Sequence, residues 1–171
     1  MRGAADRNSL ALAGLRIAVG LLFLIFGQYK VFGTKFTLGG GFQYWINSFL
    51  ADGAYPFMVP VLRDFVLPHG TAIAFLVAYG ELAIGLALAL GVLVRSASAC
   101  GLVYMLLLLF ASNYPGHDAV LWQYFGAALS HLGLAFCFSA LAFAQSDQTL
   151  SLGLYVRQLQ ARKRGQAEVA P

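Results

Sequence analysis

Four long apolar stretches divide the chain. The first runs from Ala11 to Val31, with Arg16 near its start and Gln28 and Lys30 at its close. The second is Thr71 to Val94, ended by Arg95. The third, about Ser96 to Ser112, follows a tight connection around Arg95 to Ser98. The fourth is Leu121 to Ala144, where Trp122 and Tyr124 take the place of interfacial aromatics. Runs such as Ala83 to Val94 show no apolar–polar alternation, so the period of a strand is absent and helices are predicted. Each stretch approaches the ~20 residues that an α-helix needs to cross a bilayer.

Between the first two stretches, residues 33–70 form a long aromatic-rich connection. Gly39, Gly40 and Gly41 break the chain. Phe42, Trp45, Ile46, Phe49 and Leu50 then recur at i, i+3, i+4, i+7 and i+8, one face of a helix, with Gln43, Asn47 and Ser48 on the other. About nine residues cannot span a membrane, so this helix is expected to lie on the surface or cap the bundle. Pro56, Pro60 and Pro68 punctuate the rest of the connection, and Phe57 to Leu67 reads as a second short interfacial element carrying Arg63 and Asp64. Asn113 to Asp118 is a turn. Residues 145–171 become polar and then basic, a tail in which Leu150 to Arg164 can form a short amphipathic helix. The division is thus a four-span domain over 1–144 and a tail over 145–171.

Composition sharpens this picture. Hydrophobic residues make up 60% of the chain and charged residues 11%, with a mean hydropathy of +0.73. A chain of 171 residues cannot bury that much apolar surface in water, because small domains leave much of their surface exposed. Lipid is the remaining solvent, and in lipid every backbone polar group must be paired internally. The expected fold is all-α, an integral membrane four-helix bundle with short interfacial helices in the first external loop. A secretory signal is the competitor for the first stretch. The sequence Gln28-Tyr29-Lys30-Val31-Phe32 that closes it lacks the small residues of a cleavage site, so it reads as an uncleaved membrane helix.

Charge sets the expected orientation. Arg2, Arg7, Arg95, Arg157, Arg162, Lys163 and Arg164 share one side, against Lys30, Lys35 and Arg63 on the other. Positive residues stay inside, which places both termini in the cytoplasm and the aromatic loop outside. The net charge is +4, but no basic face is interleaved with base-stacking aromatics, so a nucleic-acid partner is not expected. Arg162, Lys163 and Arg164 read as an anchor to anionic lipid. Cys100 and Cys137 sit in apolar runs with no metal-ligand or disulfide spacing; they read as packing residues, and neither a metal nor a covalent cofactor is expected.

Ionisable groups inside apolar spans are costly unless paired, so each is a functional candidate. Glu81 lies about ten residues below the outer end of the second span, near mid-bilayer at ~1.5 Å per residue. It is either a proton-accepting or ligand-binding group, or a buried glutamate tying helices together. His131 and Tyr104 fall at a similar depth in the fourth and third spans. Each has a bland alternative: an interhelical histidine beside Ser130, and a packing tyrosine. Arg16, Gly20, Phe23, Gly27 and Lys30 form one stripe of the first helix; Glu81, Ile84, Leu88, Gly91 and Arg95 form one of the second. Both read as inward faces, with Gly20, Gly27, Gly85 and Gly91 allowing close backbone approach. By depth, Arg16 and Lys30 flank Glu81 at eight or nine residues, and neither is expected to reach it directly. Lys30 is expected to snorkel to the headgroups, whereas Arg16 is open to either reading.

These stripes are where the sequence resembles the DoxX family of small four-helix bacterial membrane proteins. The matching pieces are Arg16-x3-Gly20-x2-Phe23-x3-Gly27-x2-Lys30 and Gly80-Glu81-Leu82-x2-Gly85-x5-Gly91-x3-Arg95. The resemblance covers residues 11–112, more loosely to Ala144. It implies a bacterial inner-membrane location. The family is named for a subunit associated with a terminal quinol oxidase. A related branch supplies the small subunit of thiosulfate:quinone oxidoreductase, and more distant relatives serve methylamine dehydrogenase maturation. Glu81 matches the family's acidic position, Arg16 and Lys30 its basic ones. His131 matches none, and the long aromatic loop departs from the shorter members.

Three functions are therefore open. The first is a quinone-linked accessory or subunit, in which Glu81 and His131 contact a quinone head or a proton path and another membrane or periplasmic subunit handles electrons. Only His131 among the histidines lies within a span, so bis-histidine haem is not expected. The second is a structural or partner-binding protein whose outer cap of Phe42, Trp45 and Phe49 docks a partner. The third, a carrier of small apolar solutes, is disfavoured because no inverted repeat and no break within a span is evident.

Overall fold

The computed structural model describes residues 7–33, 35–126, 128–144 and 149–167, with the main chain alone described at Arg157 and 162–167. Among these residues there is no strand. Helix α1 is Arg7–Gln28, continued by a wider π-helical turn at Tyr29–Gly33. Helix α2 is Gly41–Asp52, and α3 is Met58–Pro60, running into a second π-helical stretch at Val61–Val66. Helix α4 is Gly70–Leu90, α5 Val94–Ala111, α6 Leu121–Gly126, α7 Leu129–Phe143 and α8 Leu152–Ala167. Three of these segments are long and apolar enough to cross a membrane: Arg7–Gly33, Gly70–Leu90 and Val94–Ala111. The all-α bundle and the two interfacial elements agree with the expectation from sequence. Arg2 of the charge count, the side chains of Arg157, Arg162, Lys163 and Arg164, and the boundary at residue 145 lie outside the described residues.

The bundle is built from two tight pairs, α1 with α4 and α5 with α7. Glycine makes the first pair. A Cβ on Gly20 would lie 2.7 Å from the backbone nitrogen of Ala89, one on Gly27 would lie 2.7 Å from that of Leu82, and one on Gly85 would lie 2.7 Å from that of Leu24. No side chain fits at those separations, so the backbones touch and van der Waals contact holds the pair. In the second pair the ring of Phe138 fills the notch where Gly101 lacks a side chain. Between the pairs contact is thinner, α4 meeting α5 lightly and α1 meeting α7 lightly.

Three expectations about the helices are corrected. The connection between the second and third spans is Gly91–Leu93, not Arg95–Ser98; Gly91 ends α4 at φ +71°, a left-handed turn that glycine adopts freely. Arg95 consequently lies in the first turn of α5 and is exposed rather than completing an inward stripe. The fourth stretch is not one helix. It is interrupted at Ala128, whose φ of −125° and ψ of 36° are not helical, leaving a six-residue α6 and a fifteen-residue α7. At ~1.5 Å per residue α7 is only ~23 Å long, so the view that no span is interrupted was mistaken.

Two apolar cores stack along the bundle. One gathers Val19, Phe23, Ile84, Leu88, Met105, Phe138 and Leu141 near the termini. The other gathers Phe36, Phe42, Ile46, Met58, Leu62 and Ala74 under the loop. Phe42 and Ile46 turn inward, and Phe49 and Leu50 are half-buried, as their spacing predicted. Trp45 is the exception at 53% exposed. The outer cap is thus split: Phe42 belongs to the core and is closed to any partner, while Trp45 is open.

Candidate functional site

Glu81 sits where the two cores meet, between Ala78 of one and Ile84 of the other. It is 5% exposed. Its Oε1 accepts hydrogen bonds from the Lys30 ammonium and, at 2.5 Å, from the Tyr104 hydroxyl. Lys30 Nζ also lies 3.4 Å from the Tyr104 oxygen, 5.3 Å from the centroid of the Phe36 ring and 6.0 Å from that of Tyr104. An ammonium over ring faces gains electrostatic attraction as well as its ion pair. Tyr104 is held edge-on by Phe23, 6.4 Å between centroids.

Lys30 therefore does not snorkel away. Depth measured from the ends of the apolar runs set it a helix turn or more too far from Glu81. The register is fixed by Gly27, which packs against the backbone of Glu81 and Leu82. Lys30, one turn beyond Gly27, arrives beside the carboxylate. The start of α4 packs against α2, where the Gln43 side chain lies against Gly70. Tyr104 is likewise more than a packing residue, since it donates to Glu81.

The remaining candidates separate into two groups. His131 joins Glu81, Lys30 and Tyr104 around a chamber of about 340 Å³ whose apolar wall includes Leu22, Phe23, Phe26 and Leu134. Its lining comes from α1, α4, α5 and α7, of which α1 and α7 meet only lightly. The other carboxylate oxygen, Glu81 Oε2, is buried without a hydrogen-bond partner, and so is His131 Nδ1. Buried polar atoms in proteins are nearly always paired, so these two residues of the chamber lining keep hydrogen-bonding capacity that no neighbour uses, as Ser98 Oγ and Gln43 Oε1 do elsewhere. On the other flank of the Glu81–Tyr104 contact, an apolar groove of about 650 Å³ runs between α4 and α5 and includes Cys100. Both cysteines are free thiols. Among the described residues no cluster of His, Cys, Asp and Glu could hold a metal ion.

Arg16 goes elsewhere. It is 0% exposed and donates to the carbonyls of Thr149, at 3.3 Å, and Leu150, at 2.8 Å. Ser151 Oγ donates to the Gly91 carbonyl at 2.7 Å, so the start of the tail is stitched to the end of the bundle. Gly91 has its place here rather than in a helix seam, because a side chain on it would strike the Arg16 guanidinium. Sequence reasoning missed Thr149, Leu150 and Ser151, which supply mainly backbone atoms and leave no pattern.

The DoxX family model matches residues 11–113, a range that contains Arg16, Lys30, Glu81 and Tyr104 but not His131. No curated protein matches the chain, and no solved structure does.

Proposed function

The chain belongs to the DoxX family of integral membrane proteins, and from that membership and the geometry of the chamber we propose that it is a subunit or helper of a quinone-linked redox system. The observation that carries this reading is the pair of unpartnered buried atoms, Glu81 Oε2 and His131 Nδ1, on residues that line one chamber together with the Lys30–Glu81 ion pair. A ligand that enters from lipid is apolar over most of its surface and polar at one end. Its head must both accept a hydrogen bond, from the Lys30 ammonium, and give or take protons. A quinone does both: its two carbonyls accept hydrogen bonds, and two electrons and two protons convert it to the quinol. In this reading Glu81 and His131 exchange those protons, while a partner subunit supplies or removes the electrons. The excess of Lys and Arg on one side supports a bacterial inner-membrane setting with both termini cytoplasmic.

The direct test is quinone affinity of the purified protein before and after Glu81→Gln. A loss of about tenfold or more, ~1.4 kcal/mol, with the fold retained is expected. Unchanged affinity removes Glu81 from the site.

A second reading rests on the exposed rings of the cap, Tyr44 at 69% and Trp45 at 53%, which stand 5.8 Å apart and could dock a redox subunit. Trp45→Ala would then lose a co-purifying protein while quinone binding stays intact.

A further inference from the structure

The groove between α4 and α5 differs in kind from the chamber. Apart from Glu81 and Tyr104, its lining of about 650 Å³ is apolar side chains, the thiol of Cys100 and the bare backbone of Gly80. It extends from Ile73 to Ile84, ~16 Å along α4. Leu76, Val103 and Leu107 on its walls are 72%, 57% and 50% exposed. Both helices are long and apolar enough to cross a membrane, so the medium over the groove is hydrocarbon. An empty groove there forfeits dispersion contacts, and an apolar chain restores them.

Gly80 helps to keep this space open. Gly20, Gly27 and Gly85 each face backbone at 2.7 Å, whereas a Cβ on Gly80 would meet no packed neighbour within 4 Å. Glycine weakens a helix interior, and at Gly80 no close approach calls for one. What the missing side chain leaves is room in the groove. The groove and the chamber also have two lining residues in common, Glu81 and Tyr104, which are joined by a hydrogen bond of 2.5 Å. The chamber, at about 340 Å³, lies at the small end of ligand sites, which run ~300–1,000 Å³. It takes a ring and leaves no room for a long chain.

We infer that the groove holds the apolar tail of the molecule whose head occupies the chamber, the chain crossing between α4 and α5 beside Tyr104. This deepens, and rests on, the quinone reading. It specifies a ligand with a long hydrocarbon chain and assigns the recognition of that chain to the groove at Gly80. For the chain to cross, the Tyr104 hydroxyl leaves Glu81 and its ring turns aside. Lys30 bonds to the same carboxylate oxygen, so Glu81 keeps its cation when Tyr104 moves. The light contact between α4 and α5 is what lets a chain lie between them.

Two fully substituted para-quinones that differ in one chain, decyl against methyl, test it on the purified protein. Gly80→Leu fills the groove with a better helix former, so the thermal midpoint should hold or rise. Its affinity for the decyl probe is expected to fall about tenfold, while that for the methyl probe stays within about twofold. Each probe is compared between the two proteins in the same detergent, so partition into micelles cancels. Cys100 gives a second readout on the unaltered chain: the decyl probe should slow its alkylation by a maleimide at least about threefold more than the methyl probe does. If Gly80→Leu changes the two probes alike or changes neither, or if the decyl probe leaves Cys100 as reactive as the methyl probe does, the tail does not lie in the groove. The quinone reading then still stands. Failure of the wild type to bind either probe overturns both.

Discussion

Helix α1 carries two inward-pointing cations about four turns apart, and their surroundings differ in kind. At the tail end, Arg16 is wholly enclosed and bonds to the carbonyls of Thr149 and Leu150. These are main-chain acceptors in a segment that packs on the bundle, so Arg16 fastens the tail. At the other end, Lys30 retains a fifth of its side-chain exposure, 21%, and bonds to a carboxylate whose second oxygen is unpartnered. That end borders a chamber. One cation joins two parts of the chain; the other keeps a charged acid stable beside an open space. The lesson is that a buried charge in a membrane helix is diagnosed by what its partner still lacks, not by its own burial.

Four single substitutions and one double sharpen or break this contrast. The largest effect is expected from Gly27→Val, since its side chain meets the backbone at Leu82 and neither end of α1 can then keep its register. Folded protein recovered from membranes should fall to near background. Lys30→Met leaves Glu81 buried without its cation and should cost ~3–5 kcal/mol, the usual penalty for breaking a buried pair. Adding Glu81→Gln should restore at least half of that loss in thermal unfolding, which isolates the pair. Arg16→Met leaves two carbonyls unmet at roughly 1–3 kcal/mol each. It should expose the chain near Thr149 to protease while quinone affinity stays within about twofold. The smallest change in stability should follow His131→Ala, under ~1 kcal/mol, because Nδ1 has no partner to lose. Its effect should appear in ligand affinity, down about tenfold. If Arg16→Met and His131→Ala exchanged phenotypes, the contrast between the two ends would be wrong.

Much of this was legible in the residues. The inward stripes from Arg16 to Lys30 and from Glu81 to Leu88 follow from helical spacing, and the shared depth of Glu81, Tyr104 and His131 follows from counting along apolar runs. The Lys30–Glu81 bond was not legible, because the edges of apolar runs do not set how two helices slide past one another. Contacts at Gly20, Gly27 and Gly85 do, and a glycine in sequence does not say what it faces. The break at α7 was equally hidden. Gly126 and Ala128 are ordinary in a membrane helix, and no proline marks the site. Trp45 sat on the predicted buried face, yet packing selected Phe42 and Ile46 and left it outside.

The central claim is that a lipophilic molecule with a polar head occupies the chamber between Glu81 and His131. Mass spectrometry of compounds extracted from the gently purified protein tests it without assuming which molecule that is. A quinone held in near-stoichiometric amount by the wild type, and depleted about tenfold in Glu81→Gln and His131→Ala, is the predicted result. Phospholipid alone, or a quinone retained equally by all three proteins, would contradict it.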